Sequence, residues 1–449
     1  MPLPPGPEAP PWLQLARWMT APFAVLDECR ARFGDAFTMR LWGLPRGIVI
    51  VSDPLAVKEV FGLGPDEAHA GEANVVLRPL LGEHSLLLLD GAEHLRQRKM
   101  ILPAFHGERM HAYGQTMLDL THDSIDRWPV GSRFAVHRPM QAVTLQVILR
   151  TVFGLEQGPR LAALADLLRR VLDIGSHPAL LLHPLQRDLG PLSPWGRFLR
   201  LSDRAGAILR AEIRAGRERG TAGRTDVLAM MLDARDESGA PLSEDEVHDE
   251  LVTLLVAGHE TTATALAWAL RWLLVRPELV ARLREEIASA GGDPARIAKL
   301  ELLDATVKEA LRLQPVIPLV ARVLQQRRTI GGLDLPAGSF VAPAIYLVHR
   351  RPSLYPEPER FRPERFLGWK PAAWEWLPFG GGLRKCVGAA FAVYEMKMVL
   401  AALLPRVEMR LARREVRARR RAVTITPAGG LPVIVSTRRS REAVATRAA

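Results

Sequence analysis

The feature that most constrains the fold of this chain is one long helical pattern in its middle. It begins at "SEDE", a capping box in which Ser243 and Glu246 can satisfy each other's backbone N–H groups. The pattern continues for about 33 residues to Val275, which at 1.5 Å per residue predicts a helix roughly 50 Å long. A helix of that length crosses an entire domain, so it favours one large domain built around it.

The interior of this helix is too polar for a membrane span. The apolar run Leu251–Leu274 carries His259, Glu260 and Arg271, and charged groups at a bilayer centre are costly. The N-terminal segment is rich in proline, which argues against a signal-peptide hydrophobic region or a spanning helix there. We therefore predict a buried helix in a soluble protein with no membrane span.

Composition places the chain among globular proteins. Of its 449 residues, 48% are hydrophobic and 24% are charged, a balance that predicts a sizeable core. It contains two cysteines, Cys29 and Cys386, so we expect no disulfide framework and a reducing, cytoplasmic location. Much of the net charge of +11 lies in Arg410–Val423. We interpret this run as a solvated face, since no nucleic-acid-binding motif accompanies it.

Helical patterns dominate the chain, and extended segments are few. Residues 91–326 read almost entirely as helix interrupted by glycine and proline. The stretches "AFTMRLW" and "RGIVIV" predict a pair of strands. The segment 422–436 predicts a hairpin that turns at Gly429 and Gly430. No repeat or low-complexity linker divides the chain, so we predict a single large, mainly α domain with a small β part.

One cysteine lies in an unusual setting, between a glycine-rich turn and a helical pattern. Cys386 follows Gly380–Gly382 and precedes the apolar helical spacing of Val387–Leu404. Free backbone N–H groups at a helix N-terminus stabilise a thiolate, and Arg384 and Lys385 are expected to lower its pKa further. Glycines allow the backbone to approach a bulky flat group. Axial ligation of haem iron by cysteine requires a thiolate held against such a group.

The complete pattern around this cysteine resembles the signature of the cytochrome P450 family. It reads Phe379-x-x-Gly382-x-Arg384-x-Cys386-x-Gly388. The resemblance implies that Cys386 ligates the iron of haem b and that Phe379 shields the sulfur. It also implies that Gly382 lets the backbone meet the porphyrin and that Gly388 permits close packing of the following helix. The alternative for a lone thiol is an incidental cysteine, which the full pattern disfavours.

The resemblance extends over nearly the whole chain and implies the triangular P450 fold, of mainly α class with small β-sheets (α+β). We predict the P450 domain at residues 23–436, after a proline-rich segment at 1–22 and before a flexible basic tail at 437–449. The chemistry implied is monooxygenation, in which haem activates O2 and one oxygen atom enters a hydrophobic small molecule.

The middle of the long helix resembles the oxygen-binding pattern of the same family. In "VAGHETT", Ala257 and Gly258 would border the haem, and the resemblance gives Glu260 and Thr261 catalytic roles in proton supply and oxygen binding. Glycine weakens a helix and a threonine hydroxyl can bind the carbonyl four residues earlier, so we predict a local groove. A core helix that tolerates these polar residues by chance is the alternative.

Glu309 and Arg312 form the Glu-x-x-Arg pair of the family, and Arg365 lies in "FRPERF" downstream. The first two share a helix face at spacing i, i+3. The motif alone has little specificity. The resemblance implies that all three form a structural brace, with a role in folding and haem retention.

Four cationic residues match positions that contact the haem propionates in the family. His94 and Arg98 share a helix face at spacing i, i+4, and Arg322 and Arg384 lie in two later motifs. A propionate requires cationic partners. For any single member, an ordinary surface charge is the alternative.

The substrate pocket implied by the family positions is almost wholly apolar. This favours a hydrophobic substrate such as a fatty acid, a terpene or another natural product. The predicted lining residues are Val75, Val76, Leu86, Leu255, Ile317, Leu319 and Ala428.

Electrons are expected from a separate partner, because the sequence carries no flavin or iron–sulfur motif. An acidic ferredoxin or flavodoxin with its reductase, supplied by NAD(P)H, would dock near Arg96, Lys99 and Lys385. We expect a monomer that binds no nucleic acid. Two alternatives remain: a P450-like enzyme that rearranges substrates or uses peroxides, and a haem-thiolate sensor without turnover. The pair Glu260–Thr261 argues against the first.

Overall fold

The computed structural model describes residues 3–44, 46–105, 112–154, 158–175, 186–190, 193–441 and 443. The helices found in these ranges are, in chain order, α1 (Pro11–Thr20), α2 (Pro22–Phe33), α3 (Pro54–Gly62), α4 (Arg78–Leu81), α5 (Gly91–Ile101), α6 (Gly114–Ile125), α7 (His137–Phe153), α8 (Pro159–Gly175), α9 (Pro194–Arg219), α10 (Val227–Asp233), α11 (Glu244–Leu273), α12 (Pro277–Ser289), α13 (Pro294–Ile297), α14 (Glu301–Leu313), α15 (Ile345–Val348) and α16 (Ala389–Arg406).

The strands are short. They are β1 (Ala36–Met39), β2 (Ile48–Val51), β3 (Ala68–His69), β4 (Arg133–Ala135), β5 (Arg322–Leu324), β6 (Arg328–Ile330), β7 (Leu333–Leu335), β8 (Phe340–Pro343), β9 (Val407–Leu411), β10 (Ala418–Arg421), β11 (Thr424–Pro427) and β12 (Pro432–Arg438). The largest sheet has the order β1-β2-β8-β5-β3, and the smaller ones are β10-β11, β4-β12-β9 and β6-β7. The mainly α class with small sheets is confirmed.

Helix α11 is the central element of the core. The predicted capping box is confirmed: the Ser243 hydroxyl accepts from the Glu246 N–H at 3.1 Å, and the Glu246 carboxylate accepts from the Ser243 N–H at 2.7 Å. The helix packs against α7, α9, α14 and α16. The indole N–H of Trp268 donates to the carbonyl of Ile425 at 2.8 Å, which fixes β11 beside the C-terminal half of α11.

The predicted strand pair near the N-terminus is confirmed, but the predicted C-terminal hairpin is wrong. Strands β1 and β2 are antiparallel. By contrast, β11 pairs with β10, whereas β12 pairs with β4 and β9. Gly429, Gly430 and Leu431 all adopt positive φ angles, and this turn directs the chain out of one sheet and into another instead of folding it back.

Both ends of the described chain pack against the domain. Trp18 of α1 is buried, and strand β12 continues to Arg438, two residues beyond the predicted domain end. The basic residues Arg439 and Arg441 form ion pairs with Glu408 and Asp119. The basic residues up to Arg441 therefore contact the domain, and residues 442 and 444–449 lie outside the described part.

Candidate functional site

The loop before α16 holds Cys386 in a fixed position. The Cys386 N–H donates to the carbonyl of Phe379 at 3.0 Å, and the Lys385 N–H donates to Gly382 at 3.1 Å. Gly382 has a φ of +64°, and a Cβ there would lie 2.0 Å from the carbonyl oxygen of Phe61. Glycine is therefore required at this position because the loop packs closely on the end of α3.

The Cys386 thiol faces an internal space. The residue counts as exposed by its accessible surface, yet protein atoms surround it closely enough that burial raises the pKa of its thiol above the usual value. Both statements hold together if the sulfur borders a cavity inside the protein. The N–H of Gly388 and the charges of Arg98 and Lys385 act in the opposite direction but do not overcome burial.

Two expectations about this loop need correction. We predicted a lowered thiol pKa, but burial outweighs the N–H of Gly388 and the nearby cations and raises the pKa of the thiol. We also predicted that Gly388 permits close helix packing. A Cβ at Gly388 would meet no protein atom within 4 Å among the residues described, so packing against protein does not explain this glycine.

The accessible residues of α11 in the middle of the core include Ala257 and Thr261. Ala257 is exposed and Thr261 is half-buried, although neighbours such as Ala263 are fully buried. The Thr261 hydroxyl donates to the carbonyl of Ala257 at 2.6 Å, which is the i−4 bond that the sequence predicted. A Cβ at Gly258 would lie 3.0 Å from Cδ1 of Ile148, so this glycine allows α11 to cross α7 closely.

Glu260 is buried against other elements. The amide of Gln141 on α7 donates to its Oε2 at 2.6 Å. Its Oε1 lies 3.7 Å from Nε of Arg421 and 3.8 Å from Nε2 of His137, and accepts no hydrogen bond among the described residues. Burial raises the pKa of this carboxyl, while Arg421 and then Gln141 oppose the rise.

The four predicted propionate contacts lie in one cluster of three arginines and one neutral histidine. Burial and the charges of Arg384, Arg98 and Arg322 lower the pKa of His94 to about 3. Burial, followed by the charge of Arg384, lowers the pKa of Arg322 to about 10. Arg384 pairs with Asp90, whereas Arg98 and Arg322 form no ion pair within the described ranges. Buried cations that repel one another require anions, and two propionates would supply them.

The three predicted brace residues are brought together. Glu309 and Arg312 are both fully buried, with Nε to Oε2 at 2.7 Å and an Arg312 terminal nitrogen to Oε1 at 2.9 Å. Nε of Arg365 donates to the same Oε1 at 3.1 Å. Arg312 also donates to the carbonyls of His349 at 2.7 Å and Pro358 at 2.8 Å.

The predicted pocket residues do not all line an accessible space. Leu255 has no accessible surface, because it lies on the opposite side of α11 from Ala257. The two residues are two positions apart, which corresponds to a rotation of about 200° around the helix axis. That prediction is wrong. Leu86 is also buried, Val75 and Val76 are exposed, and the remaining three are half-buried: Ile317, Leu319 and Ala428.

Two of the three residues of the predicted basic docking face, Arg96 and Lys99, form ion pairs within the protein. Arg96 forms ion pairs with Asp236 at 2.9 Å and Glu246 at 2.8 Å, so its charge is neutralised within the protein. Lys99 is largely exposed but pairs with Glu237 at 2.6 Å. Lys385 is exposed and forms no ion pair in the described part of the chain.

The sequence did not predict two ion pairs of the site, that of Asp90 with Arg384 and that of Glu260 with Arg421. The Asp90 carboxylate accepts from the N–H groups of Ala70, Gly71 and Glu72, each at 2.9 Å, besides pairing with Arg384. Asp90 lies directly before α5, and nothing in the local sequence indicated these distant partners. Arg421 was one cation within a basic run, and no pattern distinguished it from its neighbours.

The residues present fit a haem. An interior thiol lies beside a cationic cluster, and an accessible face of α11 lies within the same core. No group of three or more His, Cys, Asp or Glu side chains placed to hold a metal ion occurs among the described residues. Haem iron would require only one protein ligand from this site, and Cys386 would provide it. The site thus offers the residue types that a haem-thiolate protein requires.

Comparisons with known proteins agree. The family model described as Cytochrome P450 matches residues 2–429. Cytochrome P450 135B1 of Mycobacterium bovis (strain ATCC BAA-935 / AF2122/97) is 43% identical over 418 residues, covering 91% of this chain and 86% of that protein. Cytochrome P450 138 of Mycobacterium tuberculosis (strain ATCC 25618 / H37Rv) is 36% identical, covering 97% of each.

Solved structures are similar in fold. A retinoic acid-bound cyanobacterial protein, CYP120A1, matches with a TM-score of 0.83 and 27% identity, over 97% of this chain and 100% of that one. The haem domain of cytochrome P450DA matches with a TM-score of 0.82 and 25% identity, over 98% and 99% of the two chains. The chain belongs to the cytochrome P450 family, a family of haem-dependent monooxygenases. In the described ranges, no helix has both the length and the apolar character required to cross a bilayer.

Proposed function

We propose that this monooxygenase acts on a hydrophobic small molecule, with Cys386 as the iron ligand of haem b. The observation that supports this most directly is the interior, accessible thiol of Cys386 beside the cluster of His94, Arg98, Arg322 and Arg384. When bound, haem supplies the oxidising chemistry. The protein's own residues hold the propionates, exclude bulk water and control protons.

The proposed catalytic residues are Thr261 and Glu260. Thr261 places a hydroxyl on the accessible face of α11, where it donates to the carbonyl of Ala257. Beside a bound haem, this hydroxyl would hold a proton close to the site where haem supplies its oxygen chemistry. Glu260 is the nearest buried carboxyl on the same helix and would carry protons toward that hydroxyl. The roles of Ala257 and Gly258 are to keep this part of the helix free of bulky side chains.

The substrate class is supported by the lining of the interior. Ile317 and Leu319 are half-buried and apolar, and the three arginines and the histidine of the cluster are proposed to hold the propionates. The retinoic acid bound in the similar cyanobacterial structure is a hydrophobic polyene with one carboxylate. We propose that this chain accepts molecules of comparable character, among fatty acids, terpenoids or other natural products.

A spectroscopic screen tests the substrate class. Fatty acids, retinoids, terpenes and steroids are added to the ferric protein, and a low-spin to high-spin shift that saturates with concentration identifies binding. We expect hits among the long apolar molecules and none among small polar ones. Saturable shifts restricted to polar compounds contradict the proposal.

The role of Thr261 is tested with the best compound from the screen. Thr261→Ala should still bind the compound with an unchanged spin shift but release more hydrogen peroxide and less product per electron consumed. Thr253→Ala is the matched control, since Thr253 makes the same bond to the carbonyl four residues earlier, at 2.7 Å, two turns away. Product yield in Thr261→Ala equal to the control would refute the assignment, and absence of any product from the parent protein would favour a sensor.

We also propose an acidic ferredoxin or flavodoxin as the electron donor, supplied from NAD(P)H by its reductase. Because Arg96 is neutralised by two carboxylates, docking centres on Lys385 rather than on the face first predicted. The rate of haem reduction should fall with rising salt and fall in Lys385→Gln more than in Arg96→Gln. Salt-independent reduction contradicts electrostatic docking.

A further inference from the structure

The sequence of the basic run Arg410–Val423 suggested a solvated face, but part of this run packs against the protein. Strand β10 occupies its C-terminal part and pairs with β11, which packs on α11. Arg420 lies against the indole ring of Trp18, 5.2 Å from the ring centroid. The next residue, Arg421, is about three-quarters buried and extends toward Glu260. One of these arginines is thereby brought to the proposed proton carrier.

Arg421 contacts two carboxylates from two different helices. Its Nε lies 3.7 Å from Oε1 of Glu260 on α11, and one terminal nitrogen donates to Oδ1 of Asp173 on α8 at 2.9 Å. The Asp173 side chain is 52% exposed and that of Glu260 only 11%. The guanidinium therefore connects a surface acid with a buried one.

The other groups that face Glu260 do not supply a positive charge. Burial lowers the pKa of His137 to about 4, and its Nε2 lies 3.1 Å from the hydroxyl of Thr264. Burial likewise lowers the pKa of His259 to about 3, and Gln141 is neutral. Among the described residues packed around Glu260, Arg421 is thus the one that carries a positive charge near pH 7.

The charges of Arg421 and Asp173 have opposite effects on the ionisation of the Glu260 carboxyl. The positive charge of Arg421 favours the ionised carboxyl, while Asp173 disfavours it both by its own charge and by holding the same guanidinium. Because Asp173 lies on α8 and Glu260 on α11, any change in the distance between these helices changes the balance. The bond between Arg421 and Asp173 is partly exposed to solvent, so water can replace it at low energetic cost.

We propose that Arg421 is a positioning residue that favours the ionised form of Glu260, and that Asp173 competes with Glu260 for its guanidinium. The position of α8 would then regulate how readily Glu260 takes up a proton for the reaction at Thr261. This inference rests on the proposed role of Glu260, although the electrostatic coupling itself can be measured without turnover.

The test is a titration of Glu260 by infrared difference spectroscopy on the purified holoenzyme. The carboxyl band of Glu260 is assigned by its loss in Glu260→Gln. We expect Arg421→Gln to move the midpoint of this titration upward by at least about one pH unit, a tenfold change in proton affinity. Asp173→Asn should move it downward, and Arg421→Lys should restore part of the parent value.

Two matched controls separate this coupling from general charge effects. Arg419→Gln removes an exposed charge from the same strand, and Asp166→Asn removes a carboxylate from α8 that pairs with Arg169 and Arg170 instead. Neither should move the midpoint. Shifts of the same sign in Arg421→Gln and Asp173→Asn overturn the proposal, as does a midpoint that neither variant changes.

A second measurement distinguishes failure of this inference from failure of the proposed function. The pH profile of product formation should move in Arg421→Gln and should not respond to that substitution in a Glu260→Gln background. If Glu260→Gln leaves product yield and its pH profile unchanged, the catalytic role of Glu260 is wrong even though the measured coupling stands. If Glu260→Gln lowers the yield but Arg421→Gln leaves both midpoint and profile unchanged, the inference alone is wrong.

Discussion

Replacement of Glu309 by glutamine should be one of the most destabilising single changes in the chain. The Glu309 carboxylate accepts hydrogen bonds from Arg312 on both oxygens, and its Oε1 also accepts from Arg365 and from the N–H of Arg362 at 2.7 Å. Both Glu309 and Arg312 are fully buried. Glutamine removes the negative charge and turns an NH2 group toward these donors.

The size of the effect follows from this burial. Two charges about 4 Å apart in an effective dielectric of about 20 attract each other by about 4 kcal/mol. Removal of one partner of a buried pair costs about 3–5 kcal/mol, because the remaining charge stays buried without its counterion. For 449 residues, an unfolding entropy of about 2.1 cal/mol/K per residue converts this cost into a Tm lower by about 3–5 °C.

The assay is thermal and urea unfolding of the holoprotein, followed by circular dichroism and by haem absorbance. Glu357→Gln is the matched control, since Glu357 and Arg360 form an exposed Glu–Arg pair at the same i, i+3 spacing and 2.9 Å apart; its Tm should change by less than about 1 °C. Haem should also dissociate faster from Glu309→Gln. Equal changes in the two variants would show that burial does not determine the strength of the pair.

Three further predictions concern the haem site and its surroundings. Cys386→Ser should abolish the thiolate-type absorption band of the reduced, CO-bound protein, and retention of that band would exclude Cys386 as the ligand. Arg322→Met should stabilise the haem-free protein, because it removes a buried cation that has no ion pair among the described residues, yet should weaken haem binding; effects of the same sign contradict this. Burial raises the pKa of Glu250, whose carboxylate accepts from the N–H of Leu86, to about 8, so the native state favours the neutral acid and loses stability as pH rises from about 4.5 toward 8. Glutamine mimics the neutral acid, so the free energy of unfolding of Glu250→Gln should rise relative to that of the parent by up to about 1.4 kcal/mol per pH unit across this window. The same difference in unfolding free energy between variant and parent at pH 5 and pH 8 would contradict the reasoning.

Local patterns in the sequence predicted a large part of the fold and of the candidate site. The capping box at Ser243 was predictable because both partners lie within one helical turn. The contact between Glu309 and Arg312 was predictable for the same reason, as was the bond from Thr261 to the carbonyl of Ala257. The signature around Cys386 was sufficient to indicate haem-thiolate chemistry, since the loop that presents the thiol is built from consecutive residues.

Long-range packing decided the rest. Nothing in the local sequence distinguishes Arg421 from the other arginines of its run, and its proximity to Glu260 arises because β11 brings β10 onto α11. The sheet partners of β11 and β12 likewise depend on which strands lie beside them, so the hairpin prediction failed. Protonation of Cys386 is a further case: neighbouring cations are visible in the sequence, but burial, which raises its thiol pKa, exists only in the folded chain. The amino-acid sequence supplies the groups available for chemistry. Folding sets which of these groups come into contact and how much water surrounds them, because contact distance and desolvation are properties of packing.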